Sequence, residues 1–171
     1  AAEAVAEDAC GYTPKMTATQ LYDSGADAVS GESYSISSAA ELISFEKYVN
    51  SGKSTAGATF YLTGDIKLDK DEVWTPIGSS SLNAFKGVFD GCGFAVLNLI
   101  NASAGDGFAL LGNVSGDAVV KNLGVEGEIS GGDGLGGIVY RLSGASVLNC
   151  WSAVDITGSG NIGGIAAEVS G

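Results

Sequence analysis

Histidine is absent from this 171-residue chain, and arginine occurs once, at Arg141. With no imidazole, a zinc site lacks its usual ligands, and the three cysteines (Cys10, Cys92 and Cys150) form no C-x-x-C pair to replace them. Sulfur-based metal coordination is therefore excluded. An odd cysteine count also argues against a disulfide framework, and fits small buried hydrophobes plus one bridge. Cations are scarce as a group: 8 Lys and Arg face 20 Asp and Glu, a net charge of −12. Such a field repels phosphate backbones and anionic headgroups, which excludes nucleic acid as a partner and reads as the solubility of an exposed protein. No apolar run approaches the roughly 18 residues of a membrane span, so membrane insertion of this segment is not expected. Ala1 to Ala6 lacks the charged-then-apolar pattern of a signal peptide and reads as a mature or trimmed terminus.

What is present is a chain sized for one domain, 45% apolar, with 27 glycines and only two prolines. That composition fits neither a disordered tract nor a collagen, and points to a turn-dense, aliphatic β protein. Residues 1–33 are small, polar and acidic with no sustained period, which reads as an extended acidic lead-in. Ser38 followed by Glu41 forms a capping box, and Leu42, Phe45 and Val49 then share one helix face. Asn50, Ser51 and Gly52 supply the stop. After this short helix the pattern turns to β at Thr59 to Leu62, Ile66 and Leu68. A helix placed there is expected to cover the first rung of a solenoid, whose bare backbone otherwise invites aggregation.

From Phe89 onward the chain repeats. Ser115-Gly116 recurs at Ser143-Gly144 and Ser170-Gly171, offsets of 28 and 27 residues. In that register Leu111, Val139 and Ala166 align, as do Val114, Leu142 and Val169, and Gly136-Gly137 falls on Gly163-Gly164. Leu135 meets Ile162 and Ile138 meets Ile165. A period in the twenties, with short apolar strands between Gly, Ser and Asn turns, marks a β-solenoid. Asn98, Asn122 and Asn149 form a second mark. They read either as an amide ladder at a tight corner or as separate turn asparagines bonded to their own backbones.

Trp74-Thr-Pro-Ile-Gly78, Phe85-Lys-Gly-Val-Phe-Asp-Gly91, the asparagine-centred strands and the repeated Gly-Gly-Ile of 136–138 and 163–165 together resemble the GLUG-type repeats of bacterial surface proteins, also found beside immunoglobulin A peptidases. The resemblance covers roughly residues 34–171. It implies an all-β right-handed parallel β-helix with a short N-terminal capping helix, one module of a secreted or wall-attached polypeptide, and it carries no active site. Cys92 stands where the pattern often has asparagine, and Phe108 to Gly112 lacks the double glycine of later coils.

Parallel β-helices include polysaccharide-cleaving enzymes, whose hydrolases need paired carboxylates and whose lyases need Lys or Arg. Arg141 and Lys121 occupy different positions in the repeat. Asp65, Asp69 and Asp71 are the densest acids, but Asp69 to Glu72 reads as a solvated turn, and no calcium-loop spacing is present. Asp90-Gly91 and Asp106-Gly107 read as ordinary turns. Trp74, inside the apolar Val73 to Ile77 segment, reads as a packing residue, whereas Trp151 is the candidate ligand contact, a platform for stacking sugars. No catalytic, metal or cofactor residue is assigned.

The expected function is a non-catalytic extracellular structural or adhesive module of a bacterial cell-surface or secreted protein. Its expected partners are a host or cell-wall protein or a glycan, and neighbouring copies of itself. The alternative is a carbohydrate-active β-helix that binds or cleaves polysaccharide along one face. Residues 34–171 are expected to be truncated within a longer repeat array, because Gly171 falls on a mark that earlier coils use in mid-turn; amide hydrogen exchange should then show protection falling from about residue 150 onward. Cys92 and Cys150 lie about two coils, roughly 9–10 Å, apart, beyond the reach of about 7 Å that a disulfide spans. Any bridge should therefore involve Cys10, which peptide mapping by mass spectrometry checks.

Overall fold

In the computed structural model, residues 10–101 and 105–171 are described; Ala1 to Ala6 lies outside them. The chain winds through about five turns of a parallel β-solenoid, with two helices among the described residues. In chain order the elements are β1 (Met16–Thr17), α1 (Ala18–Ser24), β2 (Ser33–Ile36), α2 (Ala39–Asn50), β3 (Thr59–Leu62) and β4 (Ile66–Lys67). They continue as β5 (Val88–Asp90), β6 (Ala95–Ile100), β7 (Leu111–Ser115), β8 (Val119–Lys121), β9 (Gly124–Ser130) and β10 (Leu135–Gly136). The last are β11 (Val139–Ser143), β12 (Ser146–Leu148), β13 (Trp151–Thr157), β14 (Ile162–Gly163) and β15 (Ala166–Ser170).

Among the described residues, four parallel sheets form the walls. Sheet A runs β1-β2-β3-β5-β8-β12, sheet B β4-β6-β9-β13, sheet C β7-β11-β15, and sheet D is the pair β10-β14. Each later coil visits A, B, D and C in turn. In the first two coils, from β1 to β2 and from β2 to β3, the path between strands of sheet A is a helix instead. The cap is thus two helices deep: α1 packs on α2, and Thr19 Oγ1 donates to Ser44 Oγ across them.

This corrects the reading of residues 10–33 as an unpacked lead-in. They hold β1 and α1, and α1 begins with a complete capping box between Thr17 and Gln20 and ends on the left-handed Gly25. The box expected on α2 is only half made. Ser38 Oγ accepts from the Glu41 amide, but the Glu41 carboxylate turns to the amide and hydroxyl of Ser37. Leu42, Phe45 and Val49 are buried as expected, with Tyr48 beside them.

In-register pairing stacks side chains into columns. Sheet A superposes Tyr34, Phe60, Phe89, Val120 and Val147. Sheet C superposes Leu111, Val139 and Ala166, and Val114, Leu142 and Val169, the register read from the repeat. Ile77 and Phe85 extend these two columns by isolated bridges. Sheet D continues from Phe108 to Leu135 and Ile162. The sheet A column carries aromatic rings near the helices and valines further along, and the columns begun by Phe85 and Phe108 likewise continue with aliphatic residues. Phe45 of α2 joins the wide end, its ring 4.4 Å from that of Phe60 and 5.8 Å from that of Phe89. Val169 is 71% exposed despite its inward register, because no described coil lies over it.

Gly87 and Gly91 of the Phe85–Gly91 motif explain themselves here. A Cβ at Gly87 would strike the carbonyls of Thr55 and Ala58, and one at Gly91 that of Asn122, so both positions need glycine for neighbouring coils to approach. Val139, 0% exposed between Leu111 and Ala166, is the most direct check of the column register. Val139→Asp should cost about 3–5 kcal/mol in denaturant unfolding through an uncompensated buried charge; a change under about 0.5 kcal/mol would place the residue on the surface.

Candidate functional site

The corner between sheets A and B gathers the most chemistry. Asn122 and Asn149 sit there with φ of 51°, the left-handed conformation that asparagine tolerates. Asn149 Nδ2 donates to Asn122 Oδ1 at 2.8 Å, and Asn122 Nδ2 donates to Asp90 Oδ1 at 3.0 Å. The amide ladder therefore exists, but its third member is a carboxylate. Asn98, also at positive φ, lies inside β6 at a register shift and donates to the Leu68 carbonyl instead. A bulge consumed the left-handed residue that the spacing assigned to the corner.

Asp90, 2% exposed, also accepts from Tyr12 Oη at 2.8 Å and the Cys92 amide at 2.9 Å, and pairs with Lys121 Nζ at 3.3 Å. Beside it Cys10 and Cys92 are disulfide-bonded, with Cα atoms 5.6 Å apart. The bridge involves Cys10, as the coil spacing required, and its partner is Cys92, which leaves Cys150 free. Cys10, Cys92 and Asp90 are close enough to suggest metal ligands, but the two sulfurs bind each other and the carboxylate is fully occupied. Burial alone pushes the Asp90 carboxyl up; hydrogen bonds from Asn122, the Cys92 amide and Tyr12, with the Lys121 charge, outweigh it and hold the group below the usual carboxylate range.

The remaining candidates separate. Lys121 is committed to Asp90 on sheet A, whereas Arg141 lies on sheet C, where its guanidinium binds Glu168 at 2.7 Å. Arg141 borders a depression of about 190 Å³ beneath the 78–84 loop, near Asn113 and Ser115. The Asn50 side chain anchors that loop by accepting from the Gly78 and Ser79 amides. Asp65 accepts from the Ala95 amide, while Asp69 caps its own turn by accepting from the Asp71 amide; β4 stops at Lys67, so the three acids share no strand. Asp106 accepts from the Asp133 amide, and Asp133 from that of Asn161, a ladder of turn caps along the axis. Trp74 is 6% exposed, and its indole N–H donates to the Leu110 carbonyl of the next coil.

Trp151 differs. It opens β13 on the outer side of sheet B, is 47% exposed, and pairs in register with Gly124. Beyond it on the same side, Ala153 aligns with Glu126, Asp155 with Glu128, and Thr157 with Ser130, all six exposed. The sequence singled out Trp151; the acids beside it were missed, although the alternation from Gly124 to Ser130 and from Trp151 to Thr157 carries that signal.

No protein-family model, curated protein or solved structure matches the chain.

Because the folded pKa of Asp90 is depressed, its stabilisation is present above the unfolded value of about 3.9 and is lost as pH falls from there through the folded value. Asp90→Asn should therefore cost about 2 kcal/mol at neutral pH through weakened charge-assisted bonds, and the gap to the parent protein should narrow under acid. Denaturant unfolding at neutral pH and at about pH 3 reads both; a gap that widens in acid would contradict the assignment.

Proposed function

We propose that the chain is a non-catalytic structural or adhesive β-solenoid module of a bacterial cell-surface or secreted protein. The observation that carries this reading is where the polar chemistry goes. Asp90, Asn122, Asn149, Asp106, Asp133 and Arg141 all spend their side chains on a neighbouring coil or on the N-terminal segment. Among the described residues no buried side-chain nitrogen or oxygen lacks a partner, so the interior holds no polar group waiting for a substrate. The Cys10–Cys92 bridge supports an oxidising compartment, because cytosolic thiol buffers keep such pairs reduced. The acidity supports exposure to solvent, and the resemblance of residues 34–171 to GLUG-type repeats, together with the close coil contacts at Gly87 and Gly91, supports a repeat module of that kind.

Two measurements test it. Incubation with a panel of neutral and uronate polysaccharides should release neither reducing ends nor unsaturated uronates; release abolished by Glu128→Gln or Asp155→Asn would make the protein an enzyme and overturn the proposal. Labelling of intact producing cells with a membrane-impermeant reagent should reach Lys67 or Lys70, both exposed on the sheet B side, or the protein should be recovered from the medium; exclusive retention inside the cell would count equally against it.

A further inference from the structure

Trp151 is held in an unusual way for an exposed aromatic. Its indole lies across Gly124 of the preceding coil, where a Cβ would strike Cζ2, Cε2 and Nε1 of the ring. Gly124 is thus what lets the ring settle against the sheet, leaning back over the coil before it, with its outer side open to solvent. A ring fixed this way loses little rotamer freedom when a ligand stacks on it.

The neighbours define what fits. Along the strand direction the next outward column holds Glu126 and Ala153, the next Glu128 and Asp155, and the last Ser130 and Thr157. Successive columns are about 7 Å apart, so an aromatic surface is followed by carboxylates and then hydroxyls in one line. Glu128 and Asp155 are directly opposed in the ladder, a like-charge pair that a cation or a set of hydroxyl donors relieves. Ionised carboxylates only accept hydrogen bonds. The face therefore favours ligands rich in O–H and N–H donors, and with a net charge of −12 the molecule repels uronate and sulfate groups.

We infer that the outer face of sheet B is a glycan-binding platform for polymers containing amino sugars: Trp151 stacks on the apolar side of a pyranose, and Glu126, Glu128 and Asp155 receive the ammonium and hydroxyl hydrogens of the following residues. This rests on the adhesive reading and names its ligand. A lysine-rich peptide presents cations too, but it lacks the flat C–H face that a fixed indole ring selects.

The probe is the β-1,4-linked glucosamine tetramer, with the N-acetylglucosamine and galacturonate tetramers as comparisons and oligolysine of equal charge as the peptide control. Calorimetry on the intact chain should show saturable binding of glucosamine, weaker binding of N-acetylglucosamine and none of galacturonate. Intrinsic fluorescence should shift with the ligand, and the shift reports Trp151, because Trp74 is buried. Trp151→Ala should weaken binding about tenfold with the melting temperature unchanged, and Trp151→Phe should restore most of it. Glu128→Gln with Asp155→Asn should erase the preference for glucosamine over its N-acetyl form. Absence of saturable binding to either amino-sugar tetramer overturns the inference, as does binding indifferent to Trp151, or tighter binding of oligolysine. Those results leave a non-catalytic surface module intact, whereas polysaccharide cleavage would sink the module reading itself.

Discussion

Parallel strand pairing, in register apart from the bulge in β6, is the constraint on which the rest depends. Each coil satisfies its backbone on its neighbours, so every residue type is repeated or accommodated along the axis. Inward columns become continuous hydrophobic rods, and outward columns set residues of neighbouring coils side by side, as with Glu128 and Asp155 or Arg141 and Glu168. The same rule makes glycine compulsory where one coil's backbone meets the next at Gly87 and Gly91. It also explains why Asn122 and Asn149 bond each other: superposed left-handed corners bring their amides to hydrogen-bonding distance.

The helices solve a different problem. A column that begins with Tyr34, Phe60 and Phe89 needs a wide cover, and α2 supplies one through Phe45, with α1 packed behind it. The aromatic rings sit where coil gives way to helix, while the later coils, held by register alone, make do with Val120, Val147, Leu142 and Ala166.

The repeat was legible because it is written in both apolar spacing and turn residues, and two independent marks gave one register. What escaped was local. A helix as short as α1 has too few residues to show a period; only Thr17 and Gln20, a capping-box pair, announce it. Asn98 misled because a bulge and a corner demand the same backbone conformation, and only strand pairing tells them apart. Trp151 was recognisable as an exposed candidate from its place after a corner asparagine. The alignment of Glu128 with Asp155 follows the same 27-residue offset as Asn122 and Asn149, and the pairing of β9 with β13 confirms it.

The Cys10–Cys92 bridge has a directional consequence. It joins the residue ahead of the first strand to a corner three sheet-A strands further along, enclosing both helices and the strands between, a sequence separation of 82. A stack of nearest-neighbour units ordinarily frays from either extremity. Here the helical extremity is whipped like the end of a rope, since β1 cannot peel away without carrying a tether fixed three strands deeper in the wall. The aromatic, helix-capped part of the wall is thereby tied together covalently, a constraint that the aliphatic coils from β8 onward do not share.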